Sequence, residues 1–358
     1  MLAVRPSGTR AATCALALAA LLFLAQASRA TLVADTQAAA SESDAPRAEI
    51  TNGLVSARFY LPDAERGHYR GTRFDRSGDT YSLRFAGHEF TGPWFDSYDP
   101  LRHDALMGPV EEFLTGDSSP GYAEAKVGEG FVRIGVGVVR KAEDKPYERF
   151  RTYDVVDPGK WTITKEPGKV VFEHALSGPG GYAYVYRKTI ALLPGQPVMT
   201  IAHALRNVGT RPIETEQYNH NFFVLDQAPT GPETSVRFAF DPQGTTDRGL
   251  GELALLRGRE LVFPSELPPK QSVFTELSGF GSTPEHYDIR VENRKAGAGV
   301  RIQGDRPLEK LVFWSIRTTA CPEPYVKLRV EPGREEAWTL RYELYELDKP
   351  RAAPGAQR

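Results

Sequence analysis

The sequence predicts an all-β fold, a large antiparallel β-sandwich, and three observations predict it. Valine, threonine and tyrosine recur in short alternating runs. Glycine and proline, 33 and 27 of the 358 residues, punctuate those runs with turns. Almost no stretch carries the 3.6-residue apolar period of a crossover helix. Closely spaced strands without crossover helices pair antiparallel, and two such sheets bury their apolar faces against each other. With 41% hydrophobic and 25% charged residues, the chain has enough apolar material for a large core.

Taken in order, the chain opens with Arg5 and Arg10, an apolar run over 11–25, and small residues at Ala25-Gln26-Ala27 and Ser28-Arg29-Ala30. These are the three parts of a secretory signal, so 1–30 is expected to direct export to the periplasm or the extracellular space. About fifteen apolar residues fall short of the roughly 20 that span a bilayer. No later segment is a candidate span, so no stable membrane span is expected after signal removal. Cys14 belongs to the signal, which leaves Cys321 as a lone thiol whose expected state is buried. Residues 31–48 read as a flexible leader, 49–348 as one sandwich domain and 349–358 as a disordered tail.

Within the domain, strands are expected at 54–61, at 80–85 before the Ala86-Gly87-His88 turn, and over a long run at 130–140. More follow at 161–164, 170–175, 182–193 and 198–206, the last with His203 in an apolar stripe that assigns it to the core. The stretch 217–225 alternates next: Tyr218, His220, Phe222 and Val224 share one face, and Asn219, Asn221, Phe223 and Leu225 the other. Later strands are expected at 236–240, 288–292, 300–303, 311–317, 326–330 and 337–347. Residues 92–116 read as a loop crowded with Trp94, Phe95, Asp96, Tyr98, Asp99, Arg102, His103, Asp104, Glu111 and Glu112, the kind of long connection that binds ligands.

Composition excludes several chemistries. A net charge of −2, with a pI near 6.4 and no basic cluster interleaved with aromatics, gives no footprint for nucleic acid. Metal-ligand spacings, phosphate-cradling glycine loops and Gly-x-Ser-x-Gly elbows are missing, so neither a cofactor nor a metal is expected. Acid–base work by histidine and carboxylate remains. His220 sits among rings, and Glu323 is framed by Pro322 and Pro324, which stiffen the backbone of a turn read over 318–325.

These pieces occur in a suggestive order. The run from Asn207-Val208-Gly209-Thr210 through Asn219-His220 to Phe223, followed by Cys321-Pro322-Glu323-Pro324, Pro332-Gly333 and an aromatic strand to Tyr345, resembles the galactose mutarotase, or aldose 1-epimerase, superfamily. The resemblance runs from about Ile50 to Leu347 and implies a galactose mutarotase-like supersandwich with a sugar cleft. It implies His220 as general acid and Glu323 as general base acting on a sugar or oligosaccharide without a cofactor. Where the family has an early Asn-Arg pair and a histidine ahead of Gly-Gly, this chain has Arg73 and, ahead of Met107-Gly108-Pro109, His103. Both are carried over as substrate-binding candidates, with Asn219 and Arg317 beside them. Two other readings stay open: a non-catalytic carbohydrate-binding protein, and a polysaccharide lyase or hydrolase using Tyr218 as base and Arg317 to neutralise an acid group.

Overall fold

Two antiparallel sheets carry most of the chain in the computed structural model, which describes residues 44–244 and 248–348. The larger has ten strands, in the order Leu255–Arg257, Glu260–Val262, Thr234–Phe238, Asp288–Asn293, Ala298–Gly304, Glu335–Glu346, Val198–Asn207, Ala183–Leu192, Lys169–Ser177 and Lys160–Glu166. The smaller has six, in the order Gln243–Gly244, Val273–Ser278, Lys310–Ile316, Thr319–Val330, Ile213–Phe222 and Gly108–Leu114. Their facing sides merge in one apolar cluster that includes Phe113, Ile213, Val326 and Leu328 from the smaller sheet and Phe172, Tyr186, Ile201 and Tyr342 from the larger. The fold is the expected antiparallel sandwich, with two short 3₁₀ turns as its helical content among the described residues.

The signal read at 1–30, most of the leader and the tail at 349–358 lie outside the described residues. The first strand is Arg47–Thr51, in a four-stranded sheet with Val55–Tyr60, Asp79–Phe85 and His88–Glu89. Among the described residues, no helix is long and apolar enough to cross a membrane.

Three local expectations are corrected. The run at 130–140 is two strands, Gly130–Arg133 and Gly137–Arg140, because Gly135 at φ 78° turns the chain between them. The loop expected over 92–116 ends in a buried edge strand, Gly108–Leu114, paired with Ile213–Phe222. Gly108 holds φ 75° at its start, and a Cβ there would lie 2.7 Å from that of Thr80. Pro109 is tolerated because this strand is the last in its sheet.

The third correction matters most for the site. The proline-framed turn expected over 318–325 is the first half of the strand Thr319–Val330, deep in the sheet. Proline cannot donate to a ladder. The ladder to Ile213–Phe222 accordingly runs from Ile213↔Val330 to Tyr218↔Tyr325 and stops there. Beyond it a side chain takes over, with Asn221 Nδ2 donating to the Pro322 carbonyl at 2.9 Å. The two strands thus face each other at His220 and Glu323 where their backbones no longer pair.

Candidate active site

Alternation sorts the six-stranded sheet into two chemically different faces. On the face away from the large sheet, register builds three rows across the strands. One row runs Glu112, Tyr218, Tyr325, Lys310; the next Val110, His220, Glu323, Val312, Glu276; the third Phe222, Cys321, Trp314, Phe274. Above these rows lies a cavity of about 650 Å³, closed by Trp94, Arg73 and His103 from the segment before the edge strand and by Arg149 and Phe150 from a turn. That volume falls in the range of small-molecule sites.

His220 and Glu323 form the centre of its floor, Nε2 and Oε1 3.2 Å apart, with 4% and 5% of each residue exposed. The imidazole stacks on Phe222 at 3.8 Å between centroids, Phe222 stacks in turn on Trp94 at 4.6 Å, and Phe74 and Trp314 present edges to His220. Rings on these sides strip water from the imidazole. Burial, reinforced by the nearby Arg73 and Arg149 guanidiniums, therefore pushes its pKa well below the usual histidine range. Burial pushes the Glu323 carboxyl the other way, to about 7, against the pull of Arg73 and Arg149. At neutral pH the imidazole is neutral, and the carboxyl, near its own pKa, is divided between its protonated and ionised forms.

The cavity wall beside this pair is cationic. Glu112 is completely buried and receives Arg73 Nε at 2.9 Å, Arg149 Nη2 at 2.9 Å and Arg133 Nη2 at 3.5 Å. Glu112 accepts the Tyr218 hydroxyl at 2.5 Å, and that hydroxyl accepts from both Arg73 and Arg149. Three guanidiniums outweigh burial and hold the Glu112 carboxyl down at about 2. His103 stands at the rim with Nδ1 3.4 Å from Arg73 Nη1, and burial lowers its pKa.

Of the six residues singled out in the sequence, the fold brings His220, Glu323, Arg73 and His103 to this cavity and leaves two outside it. Asn219 points between the sheets, where it donates to Glu111 at 2.9 Å and accepts from Gln217. Its place one residue from His220 puts it on the opposite face, in a buried polar layer with Lys188, Asp75 and His203. Arg317 lies at the end of its strand, half exposed and paired with Glu266 at 2.5 Å. Arg149, Lys310 and Trp314 carry no signal of their own in the sequence, and Glu112 is marked there only as one of the charges of the 92–116 segment. Glu112 would have been found by pairing the edge strand with 213–222, which brings it opposite Tyr218.

Among the described residues, the group that could hold a metal ion is His220, Cys321 and Glu323, their ligand atoms within 4.8 Å of one another. The Cys321 sulfur lies 2.7 Å from Nδ1 while Glu323 meets Nε2. One ion meets only one imidazole nitrogen, so thiol and carboxylate cannot share it with this ring as oriented. Burial also raises the thiol pKa well above its usual range, which disfavours the thiolate a metal needs.

No family model matches the chain, and no curated protein sequence matches it. Solved structures do. A candidate aldose 1-epimerase from Escherichia coli K12 is 13% identical with a TM-score of 0.52, over 84% of this chain and 99% of that one. A galactose mutarotase related enzyme from Lactobacillus acidophilus is 10% identical with a TM-score of 0.50, over 86% of this chain and 100% of that one. At such identities the likeness is one of fold: the chain has the galactose mutarotase-like sandwich fold.

Proposed function

We propose that the protein interconverts the anomers of a sugar as an aldose 1-epimerase-like isomerase, with His220 and Glu323 as its acid–base pair. One observation carries this reading: an imidazole and a carboxyl in direct contact at the floor of an aromatic-walled cavity with room for a sugar. Anomer exchange needs one group to take the O1 proton and another to give a proton to the ring oxygen O5. The C1–O5 bond then breaks, the aldehyde turns about C1–C2, and O5 adds back to the other carbonyl face while both protons return.

The protonation of the pair sets the starting roles. His220 Nε2, neutral, is ready to accept the O1 proton, and Glu323, in the fraction of molecules that keeps its proton near pH 7, is ready to donate to O5. This reverses the assignment that the family resemblance implies, and ring closure uses the same two groups in the opposite sense. No net proton is gained or lost over the cycle. Trp94, Phe222 and Trp314 offer ring faces and edges to the sugar's C–H surface, and Arg73 and Arg149 offer donors to its hydroxyls.

The polysaccharide-lyase reading loses its parts. Tyr218 is locked between Glu112, Arg73 and Arg149 with its pKa raised well above the usual tyrosine range, and Arg317 is outside the cavity. The test is anomer exchange followed by NMR on a panel of aldoses, comparing wild type with His220→Ala and Glu323→Gln. Loss of one acid–base partner is expected to slow exchange by about 10²–10⁴-fold. Wild-type exchange no faster than buffer across the panel refutes the isomerase reading.

A further inference from the structure

The cavity is chemically lopsided about the His220–Glu323 pair. On one side lies the ring-rich row of Phe222, Trp314 and Phe274, with one cation, Arg248, over the Phe274 ring at its far end; on the other lies the row that ends in Tyr325 and Lys310, beside the arginine cluster. That second side has more positive charge than the protein neutralises. Among the described residues, Glu112 is the carboxylate in direct contact with Arg73, Arg133 and Arg149, three guanidiniums against one. Lys310 is half-buried, holds its ammonium 4.5 Å from the Tyr325 ring centroid, and makes no ion pair among the described residues. Arg149 meets the same tyrosine from its other end, Nη2 lying 3.4 Å from the hydroxyl.

The other carboxylates of the cavity offset this charge only in part, since Glu323, which feels Arg73, Arg149 and Lys310, holds its proton up to about 7. Asp104 is held by Arg102 at 2.8 Å, and Glu276 is exposed in the row of Glu323, two strands away. Cations drawn partly out of water without a partner are costly, and a ligand anion compensates them with charge-assisted hydrogen bonds.

We propose that the substrate is an anionic sugar, a hexose with one carboxylate, sulfate or phosphate seated between Arg149 and Lys310 beside Tyr325. The inference rests on the anomer-exchange reading, which puts the anomeric carbon over His220 and Glu323. From Glu323 to Tyr325 is a two-residue step along one strand, about 7 Å, comparable to the span of a pyranose ring with its exocyclic group. The anion therefore sits on the substituent remote from C1, and the aromatic row takes the rest of the ring.

The test compares exchange rates for galactose and glucose with those for galacturonate, glucuronate, glucose 6-sulfate and glucose 6-phosphate. The best anionic sugar is expected to exceed its neutral parent in kcat/KM by at least about ten-fold, and the excess is expected to shrink with added salt. The three anion types separate a carboxylate seat from a sulfate or phosphate seat. Lys310→Met keeps the stem against Tyr325 and is expected to cut the anionic-to-neutral ratio by about ten-fold, and Lys310→Arg to restore it. Lys327→Met, exposed on the neighbouring strand and outside this cavity, leaves the ratio alone.

Neutral parents exchanged as well as their anionic relatives, or a ratio unmoved by Lys310→Met, overturns the anionic substrate and leaves the isomerase reading standing. Should no sugar exchange at all, calorimetry with galacturonate and galactose decides the matter on the same protein. Binding of galacturonate, or of glucose 6-sulfate or glucose 6-phosphate put through the same titration, without galactose binding keeps the anion seat and ends the isomerase reading, while binding of none of them ends both.

Discussion

Glu112→Gln removes one charge and almost no volume from beneath the cavity, and the geometry sets its effect. The carboxylate is fully buried, is reached by three guanidiniums, and is held at about 2 instead of its ordinary 4.5. Each pH unit of displacement is worth about 1.4 kcal/mol, so ionised Glu112 contributes about 3 kcal/mol of stability at neutral pH. Removing one partner of a buried ionic cluster costs about 3–5 kcal/mol in general, which agrees. Because the folded value lies below the unfolded one, this stability is present above pH 4.5 and is lost as pH falls through about 2. Urea unfolding of wild type and Glu112→Gln is therefore expected to differ by about 3 kcal/mol at pH 7 and by only about 1 kcal/mol at pH 3. Groups that titrate in both proteins cancel in the difference. A neutral-pH gap under about 1 kcal/mol, or one that acid does not narrow, refutes the claim that the arginines depend on this carboxylate.

Three further outcomes follow from the same structure. The rate kcat/KM for anomer exchange is expected to fall as pH rises above about 7, when Glu323 gives up its proton; a plateau through pH 9 contradicts it. Asn219→Ala is expected to lower stability by about 1–3 kcal/mol, since it strands Glu111 and Gln217 between the sheets. The folded fraction should retain wild-type kcat/KM, and a selective loss of turnover would return Asn219 to the site. Arg317→Ala breaks an exposed pair with Glu266 and is expected to change stability by less than about 0.5 kcal/mol and leave KM unchanged, as calorimetry and initial rates can check.

How far the sequence can be read depends on whether one residue's neighbours in the chain are also its neighbours in space. Alternation at 198–206 and 217–222 makes the strands legible, and with them the core placement of His203 and the shared face of Tyr218, His220 and Phe222. The proline segment is not legible as a strand because proline argues against a central ladder. Where the ladder stops, the Asn221 side chain donates to the Pro322 carbonyl from across the sheet and satisfies that acceptor, a contact no local pattern announces. The edge strand is hidden for a different reason. Two consecutive glutamates look solvated, and nothing local reveals that a lysine waits on one side of the sheet and three arginines on the other. Arg149, on a turn, has no periodicity at all and reaches the site through the fold alone.

That pair of glutamates also explains the charge of the cavity. Glu111 and Glu112 are adjacent and equally buried, yet one carboxyl is pushed up to about 7 and the other held down at about 2. Burial cannot distinguish them, so the difference must come from the neighbours that alternation assigns to each. Glu111 faces the large sheet, where the single ammonium of Lys188 is divided between it and Asp75, and where His203 is kept neutral by burial. Burial pushes the Glu111 carboxyl up, and one shared ammonium beside a second carboxylate is too little to pull it back below about 7. Glu112 faces the cavity, where three guanidiniums leave it no proton and remain in excess. The interior layer can thus discharge itself by protonation, whereas the cavity wall cannot, since guanidinium stays charged at any working pH. The uncompensated charge is fixed on the side of the sheet that a ligand can reach, and a ligand with an anion is the species that neutralises it.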